Sequence, residues 1–381
     1  MNDPSQGLQK TALHDWHREH GGRMVDFAGW SLPVFYEAGA LEEHHVTRRS
    51  IGLFDIDHMG QIVVDGDDAV GAVNRLVSSD IGELAVGRAK YGLLCNERGG
   101  VVDDVIVYRL ADDRVLVVVN AANRAKDLAW IEQHIGSECQ VEDRSGALEM
   151  IAVQGPYAVP LIDSLATVSS FDGTPLDSVS GLSRFAAARV EVCGVRGIVA
   201  RTGYTGEDGI EFYVEDGGGV ALWTGLLAAA SSASIDALPV GLGARDSLRF
   251  EPGYPLYGHE LADDITPFES RLGWAVNLEG GDFLGRDALV AAKASGLDRR
   301  LETIVMVDRG VPREGSVVLG PDGEPVGQVV SGMFAPTADV FAANVFLPRE
   351  VGAPGSELQV DLRGKSKSCT VVQRPLYRRD D

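Results

Sequence analysis

The sequence predicts an α+β fold that ends in a small β-barrel or sandwich, and three observations carry this expectation. Strands follow one another before a helix, from Val101 through Asn120 to a helix beginning near Asn123, and again from Ala188 through Val214 to Val220–Ala230. Such β-β-α units point to α+β lobes, not to a doubly wound parallel sheet. From about residue 300 the helical periodicity fades, and short β-rich runs alternate with turns at Gly320-Pro321-Asp322-Gly323, Pro348 to Gly355 and Arg363-Gly364-Lys365. Finally, 381 residues with 45% hydrophobic content can bury a large core, at a length that suggests two or three domains.

In chain order, residues 34–49 read as a helix whose solvated face holds Glu42, Glu43, His44, His45, Arg48 and Arg49. Gly52 opens Leu53-Phe54-Asp55-Ile56-Asp57-His58-Met59-Gly60, which leads into a strand at Gln61 to Val64. The next strands are Val101 to Leu110 and Val115 to Asn120, parted by an Ala-Asp-Asp turn. The second unit has strands at Ala188 to Cys193, Gly197 to Arg201 and Ile210 to Val214. The expected boundary falls near Gly296 to Arg300, giving a core over residues 1–295, built of two interleaved lobes with one centred on about 53–150, and a last domain over 300–381. No short-period repeat is visible.

A formal charge of −22 argues against a nucleic-acid or anionic-membrane surface, because binding phosphates needs clustered Lys and Arg. The longest apolar run, near Val115 to Val119, is too short to span a bilayer. Met1 to Lys10 are polar and no apolar leader follows, so no secretion signal is expected. Cys95, Cys139, Cys193 and Cys369 are scattered without a CxxC pair, which fits reduced thiols in a cytoplasmic protein.

The run Gly99-Gly100-Val101-Val102-Asp103-Asp104-Val105-Ile106-Val107-Tyr108 places two adjacent carboxylates in a strand whose two faces both look apolar. Strand alternation puts Asp104, Ile106 and Tyr108 on one face and Asp103, Val105 and Val107 on the other. A buried, unpaired carboxylate costs several kcal/mol or shifts its pKa, so at least one aspartate needs a dedicated partner. A capping role after the Gly-Gly turn suits Asp103, and Asp104 lies one residue deeper.

Arg201-Thr202-Gly203-Tyr204-Thr205-Gly206-Glu207-Asp208-Gly209-Ile210-Glu211 sets three glycines in a turn between strands. It is either a plain hairpin or a loop whose backbone approaches a flat ligand, with Tyr204 stacking and Glu211 hydrogen-bonding. Gly241 to Glu251 reads as a helix start; it lacks the third glycine and preceding strand of a dinucleotide site. Arg245 and Arg249 lie four apart on one face, so either an anion sits near them or Asp246 and Glu251 satisfy them as surface pairs. His14, His17 and His20 drift off one helix face, and Asp55, Asp57 and His58 have no second cluster to complete them, so no metal site is expected. No GxSxG or Cys/His arrangement points to nucleophilic catalysis.

Taken in order, these motifs resemble the aminomethyltransferase family, the T-protein of the glycine cleavage system. Met24 to Trp30, Phe54 to Gly60, Gly99 to Tyr108, Val119-Asn120-Ala121, Gln154-Gly155-Pro156, Arg201 to Glu211, Gly241 to Arg249, Leu256-Tyr257-Gly258 and Ser331 to Thr337 carry the likeness over nearly the whole chain. The resemblance implies a three-domain, cloverleaf-like fold around a folate-binding cavity, with the last domain a β-barrel. It implies Asp104 as the essential carboxylate beside the folate nitrogens N5 and N10. Tyr91, Tyr108, Asn120, Tyr204, Glu211 and Arg245 match positions around tetrahydrofolate, and Met59 matches a cavity wall. The implied reaction moves the methylene carbon from an aminomethyl group on the lipoyl arm of H-protein to tetrahydrofolate, with release of ammonia. The alternatives are a folate-dependent demethylase of a small amine or sulfonium compound on the same fold, and a non-catalytic folate-binding protein. Asp57 stands where the family commonly has serine, and residues 338–344 also depart from its pattern.

Overall fold

In the computed structural model, residues 7–379 are described apart from Glu138 and Asp216; the polar start at Met1 to Gln6 lies outside them. The chain divides into two compact units. The first takes residues 1–74, 81–91 and 105–248, and the second takes 75–80, 92–104 and 249–381.

The first unit is organised by an eight-stranded sheet in the order 175–176, 167–169, 187–192, 195–200, 209–215, 148–154, 51–55 and 237–240. All pairings are antiparallel except Ala237–Val240 on Ile51–Asp55. Alternation along Gly209–Glu215 sends Ile210, Phe212 and Val214 to one face, where Leu222, Trp223 and Leu226 of the helix Gly219–Ser232 cover them. Tyr213 goes to the other face, into a core with Phe54, Tyr108, Leu116, Val118, Met150 and Ala152. Glu211 shares that second face by strand parity. The helix expected over 34–49 is Gly39–Arg49, and its supposedly solvated face is partly wrong: Glu43 and His44 are buried. Glu43 is drawn in because its carboxylate accepts the backbone N–H groups of Tyr36 (2.6 Å) and Gly241 (2.9 Å).

A five-stranded sheet has the order 88–95, 101–111, 114–119, 60–65 and 140–143, and the boundary between the units cuts its first two strands. The turn before Val101–Ala111 requires its glycines. Gly99 has φ +81°, and a Cβ on Gly100 would sit 1.9 Å from the Asp263 carbonyl oxygen.

In the second unit the expected β-domain is a closed six-stranded barrel in the order 299–306, 340–348, 325–335, 317–319, 357–361 and 366–372. Ile304, Val318, Val329, Val345, Leu347, Val360 and Val371 fill its interior, and closure leaves no free sheet edge.

Candidate functional site

The site is best read from the loop between Val195–Ala200 and Gly209–Glu215, the glycine-rich turn expected from the sequence. Gln154 staples it: its amide donates to the Thr202 and Ile210 carbonyls (3.2 Å each), and its oxygen accepts the Thr205 hydroxyl (3.0 Å). Arg48 holds the other side through the Thr205 carbonyl (2.6 Å) and Glu207 (2.9 Å). Thr202 and Glu211 are therefore fixed at the two ends of a braced loop.

Glu211 is half-buried, and the Thr202 hydroxyl donates to its Oε2 at 2.6 Å. Its strand neighbours are Ala200 and Ala152, whose methyl groups leave space beside the carboxylate. Burial raises its pKa, against the Thr202 hydrogen bond and the charge of Arg245. Behind Thr202, the Tyr108 hydroxyl lies 3.1 Å from the threonine oxygen, and the Tyr213 hydroxyl donates to Tyr108 at 2.9 Å.

Arg245 sits on the helix Leu242–Phe250, its guanidinium 5.0 Å from the centre of the Tyr204 ring. Burial lowers its pKa, while Tyr204 and Glu211 favour its charge. Among the described residues its guanidinium makes no hydrogen bond or ion pair, and the Glu211 Oε1 accepts none. One anionic acceptor and one cationic donor set thus remain open in the same electrostatic neighbourhood.

The turn Ile56–Gly60 brings Met59 against the core that contains Tyr108 and Tyr213. His58 is buried edge-on to Phe27, with ring centroids 5.6 Å apart, and its Nδ1 has no partner. Burial and the Arg245 charge push its pKa down to about 3, so it is neutral at physiological pH. Behind it Asp55 accepts hydrogen bonds from Thr11 (2.6 Å), His17 (2.8 Å) and the Asp57 backbone N–H (3.0 Å). Burial opposes its charge, yet these bonds and the imidazole hold its pKa below the usual value. The two histidine and aspartate groups kept apart by the sequence reading therefore meet, as a His17–Asp55 pair. Among the described residues no group of three or more His, Cys, Asp or Glu is placed to hold a metal ion.

The remaining expected residues are distributed as follows. Tyr91 is half-buried on Arg88–Cys95, and Asn120 is half-buried where Arg114–Val119 ends; neither joins the hydrogen-bond chain ending at Glu211. Asp104 belongs to the second unit, one residue from the boundary within Val101–Ala111. The burial expected of the double aspartate is reversed. Asp103 is fully buried and Asp104 only partly: Val105 and Val107 on Asp103's face are both buried, whereas Asp104's face is covered at Val102 and Tyr108 but only partly at Ile106 beside it. Arg249 is not the surface group the surface-pair alternative required: it is buried, and its guanidinium lies 2.9 Å from Glu260 within the second unit. Sequence reasoning did not single out Thr202 and Tyr213, which the hydrogen-bond chain joins to Glu211. Tyr213 was within reach, because it lies two positions after Glu211 on one strand and so shares its face.

Residues 13–280 match the GCVT N-terminal domain family, and residues 299–378 match the glycine cleavage T-protein C-terminal barrel domain. The chain belongs to the aminomethyltransferase family. An aminomethyltransferase of Symbiobacterium thermophilum is 44% identical and one of Geobacillus kaustophilus 42% identical, each over 98% of this chain and 98% and 99% of theirs. The crystal structure of glycine cleavage system aminomethyltransferase T from Bartonella henselae superposes with a TM-score of 0.87 at 34% identity, covering 97% of this chain and 98% of that one. Aminomethyltransferases are transferases, and this chain is accordingly an enzyme. The family is folate-dependent in general. No helix among the described residues is long and apolar enough to cross a membrane.

Proposed function

We propose that this enzyme transfers the methylene carbon of an aminomethyl group, carried on the dihydrolipoyl arm of H-protein, to tetrahydrofolate with release of ammonia. The observation that carries this reading within the first unit is the open pair of Glu211 Oε1 and the Arg245 guanidinium. A flat heterocycle presenting N–H donors on one edge and a carbonyl acceptor beside them, as a pterin does, matches both. Tetrahydrofolate supplies the nitrogen nucleophiles that take up the one-carbon unit.

The protein's own task is then to position and to stabilise. Glu211 accepts from the ligand's N–H groups, Arg245 donates to its acceptors, and Tyr204, Tyr108 and Met59 provide apolar walls, with Tyr91 and Asn120 completing the ligand set. Asp104 serves as the catalytic carboxylate, offsetting positive charge near the transferred carbon and accepting a proton from the ligand nitrogen N10. Its partial exposure suits a group that exchanges a proton. A cytoplasmic setting agrees with Cys95, Cys193 and Cys369 standing outside any disulfide.

The test is an assay with purified aminomethylated H-protein and tetrahydrofolate beside sarcosine, dimethylglycine and dimethylsulfoniopropionate. Ammonia release from the H-protein substrate alone supports the proposal; folate-dependent turnover of a small methylated compound alone refutes it. Asp104→Asn is expected to lower turnover by at least about a hundredfold with folate binding still measurable. Unchanged turnover removes Asp104 from the catalytic role.

A further inference from the structure

The hydrogen-bond chain behind Glu211 has a direction set by its end. An ionised Glu211 only accepts, so Thr202 spends its single hydroxyl proton on Oε2. Tyr108 must then donate to Thr202, and Tyr213 to Tyr108. Burial holds both phenols well above their usual pKa, so the donors keep their protons over the ordinary pH range.

We propose that Tyr213 and Thr202 are positioning residues of the ligand site: the relay Tyr213–Tyr108–Thr202 orients the Glu211 carboxylate, favours its charged form and leaves Oε1 to the ligand. The proposal rests on the reading of Glu211 as a ligand-binding residue. Hydroxyls aligned in one sense polarise one another, and the last bond of the row is charge-assisted. Around Glu211, Arg245 on the facing helix is the cation that favours its charge, Tyr204 lies against that cation, and the adjacent strands offer the uncharged Ala200 and Ala152. Without the relay only Arg245 would oppose desolvation of the carboxylate. Tyr213 itself reaches Glu211 only through two intermediaries, which distinguishes it from a residue that touches substrate.

Tyr213→Phe removes one oxygen and keeps the ring. In ligand-free protein carrying 13C-labelled glutamate, with Glu211→Gln to assign the signal, Tyr213→Phe and Thr202→Val should each move the Glu211 titration up by about half a pH unit or more. Thr202→Ser, which retains the hydroxyl, should restore the wild-type titration. Calorimetric binding of tetrahydrofolate should weaken roughly threefold to tenfold in Tyr213→Phe, and KM should rise with kcat nearly unchanged. An unaltered Glu211 titration in Tyr213→Phe and Thr202→Val, with only the melting temperature lowered, overturns the relay. If wild-type protein binds tetrahydrofolate no better than Glu211→Gln does, the folate reading of the site fails instead, and the titration still decides the relay.

Discussion

Asp57 shows how a single buried carboxyl couples the fold to pH. It is 7% exposed, its oxygens accept, among the described residues, only the Ala12 and Met150 backbone N–H groups at 3.3 and 3.2 Å, and Asp55 and Glu149 add negative charge nearby. Burial, followed by the Asp55 charge, pushes its pKa up to about 7. The folded state therefore holds a proton that the unfolded chain releases near pH 4, and stability falls as pH rises between about 4 and 7, then levels off. Asp57→Asn removes this dependence. Relative to wild type it should gain roughly 2 to 4 kcal/mol at pH 8 and much less at pH 5, read from urea denaturation at both values. Equal gains at the two pH values would show that Asp57 is already ionised in the fold. Glu211 and Tyr108, singled out from their motifs, are joined in the fold through the Thr202 hydroxyl. The relative burial of the two adjacent aspartates was not legible, because an apolar run on both faces does not reveal how closely each position along them is covered.

At the scale of elements, the loop 201–209 depends on a side chain outside it. A Cβ at Gly209 would lie 2.5 Å from the Gln154 amide nitrogen and 2.6 Å from the Val153 carbonyl oxygen, so alanine there displaces the staple. Gly209→Ala and Gln154→Ala should each lower stability by about 1–3 kcal/mol, because buried loop carbonyls lose their donor. Both should also weaken folate binding, measured by calorimetry beside thermal melts; weakened stability with native affinity would separate the loop from the site. The strands flanking this loop were readable from local β-branched runs, and observed bounds differ from the expected ones by only a residue or two. Ala237–Val240 was not anticipated, since its parallel pairing with Ile51–Asp55 links residues nearly 190 positions apart and leaves no local pattern.

Across the whole molecule, charge acts both diffusely and at buried points. With a formal charge of −22, general self-repulsion should make the melting temperature at pH 8 rise when sodium chloride increases from low to moderate concentration. A flat or falling salt response would contradict that. Within the second unit, Arg249 and Glu260 are almost wholly buried, and Glu260 also accepts from Asn344 of the barrel (2.8 Å) and from the Leu256 backbone (3.0 Å). Glu260→Ala removes the buried carboxylate from Arg249, which keeps the Tyr254 carbonyl and the Ser331 hydroxyl, and should cost about 3–5 kcal/mol in chemical denaturation. The chain's division also orders events at the ribosome. Residues 75–80 and 92–104 emerge early, yet the unit they complete closes only when residues 249–381 arrive. Until then these segments lack most of the unit they belong to, so synthesis of residues 249–381 is the step at which the second unit can close.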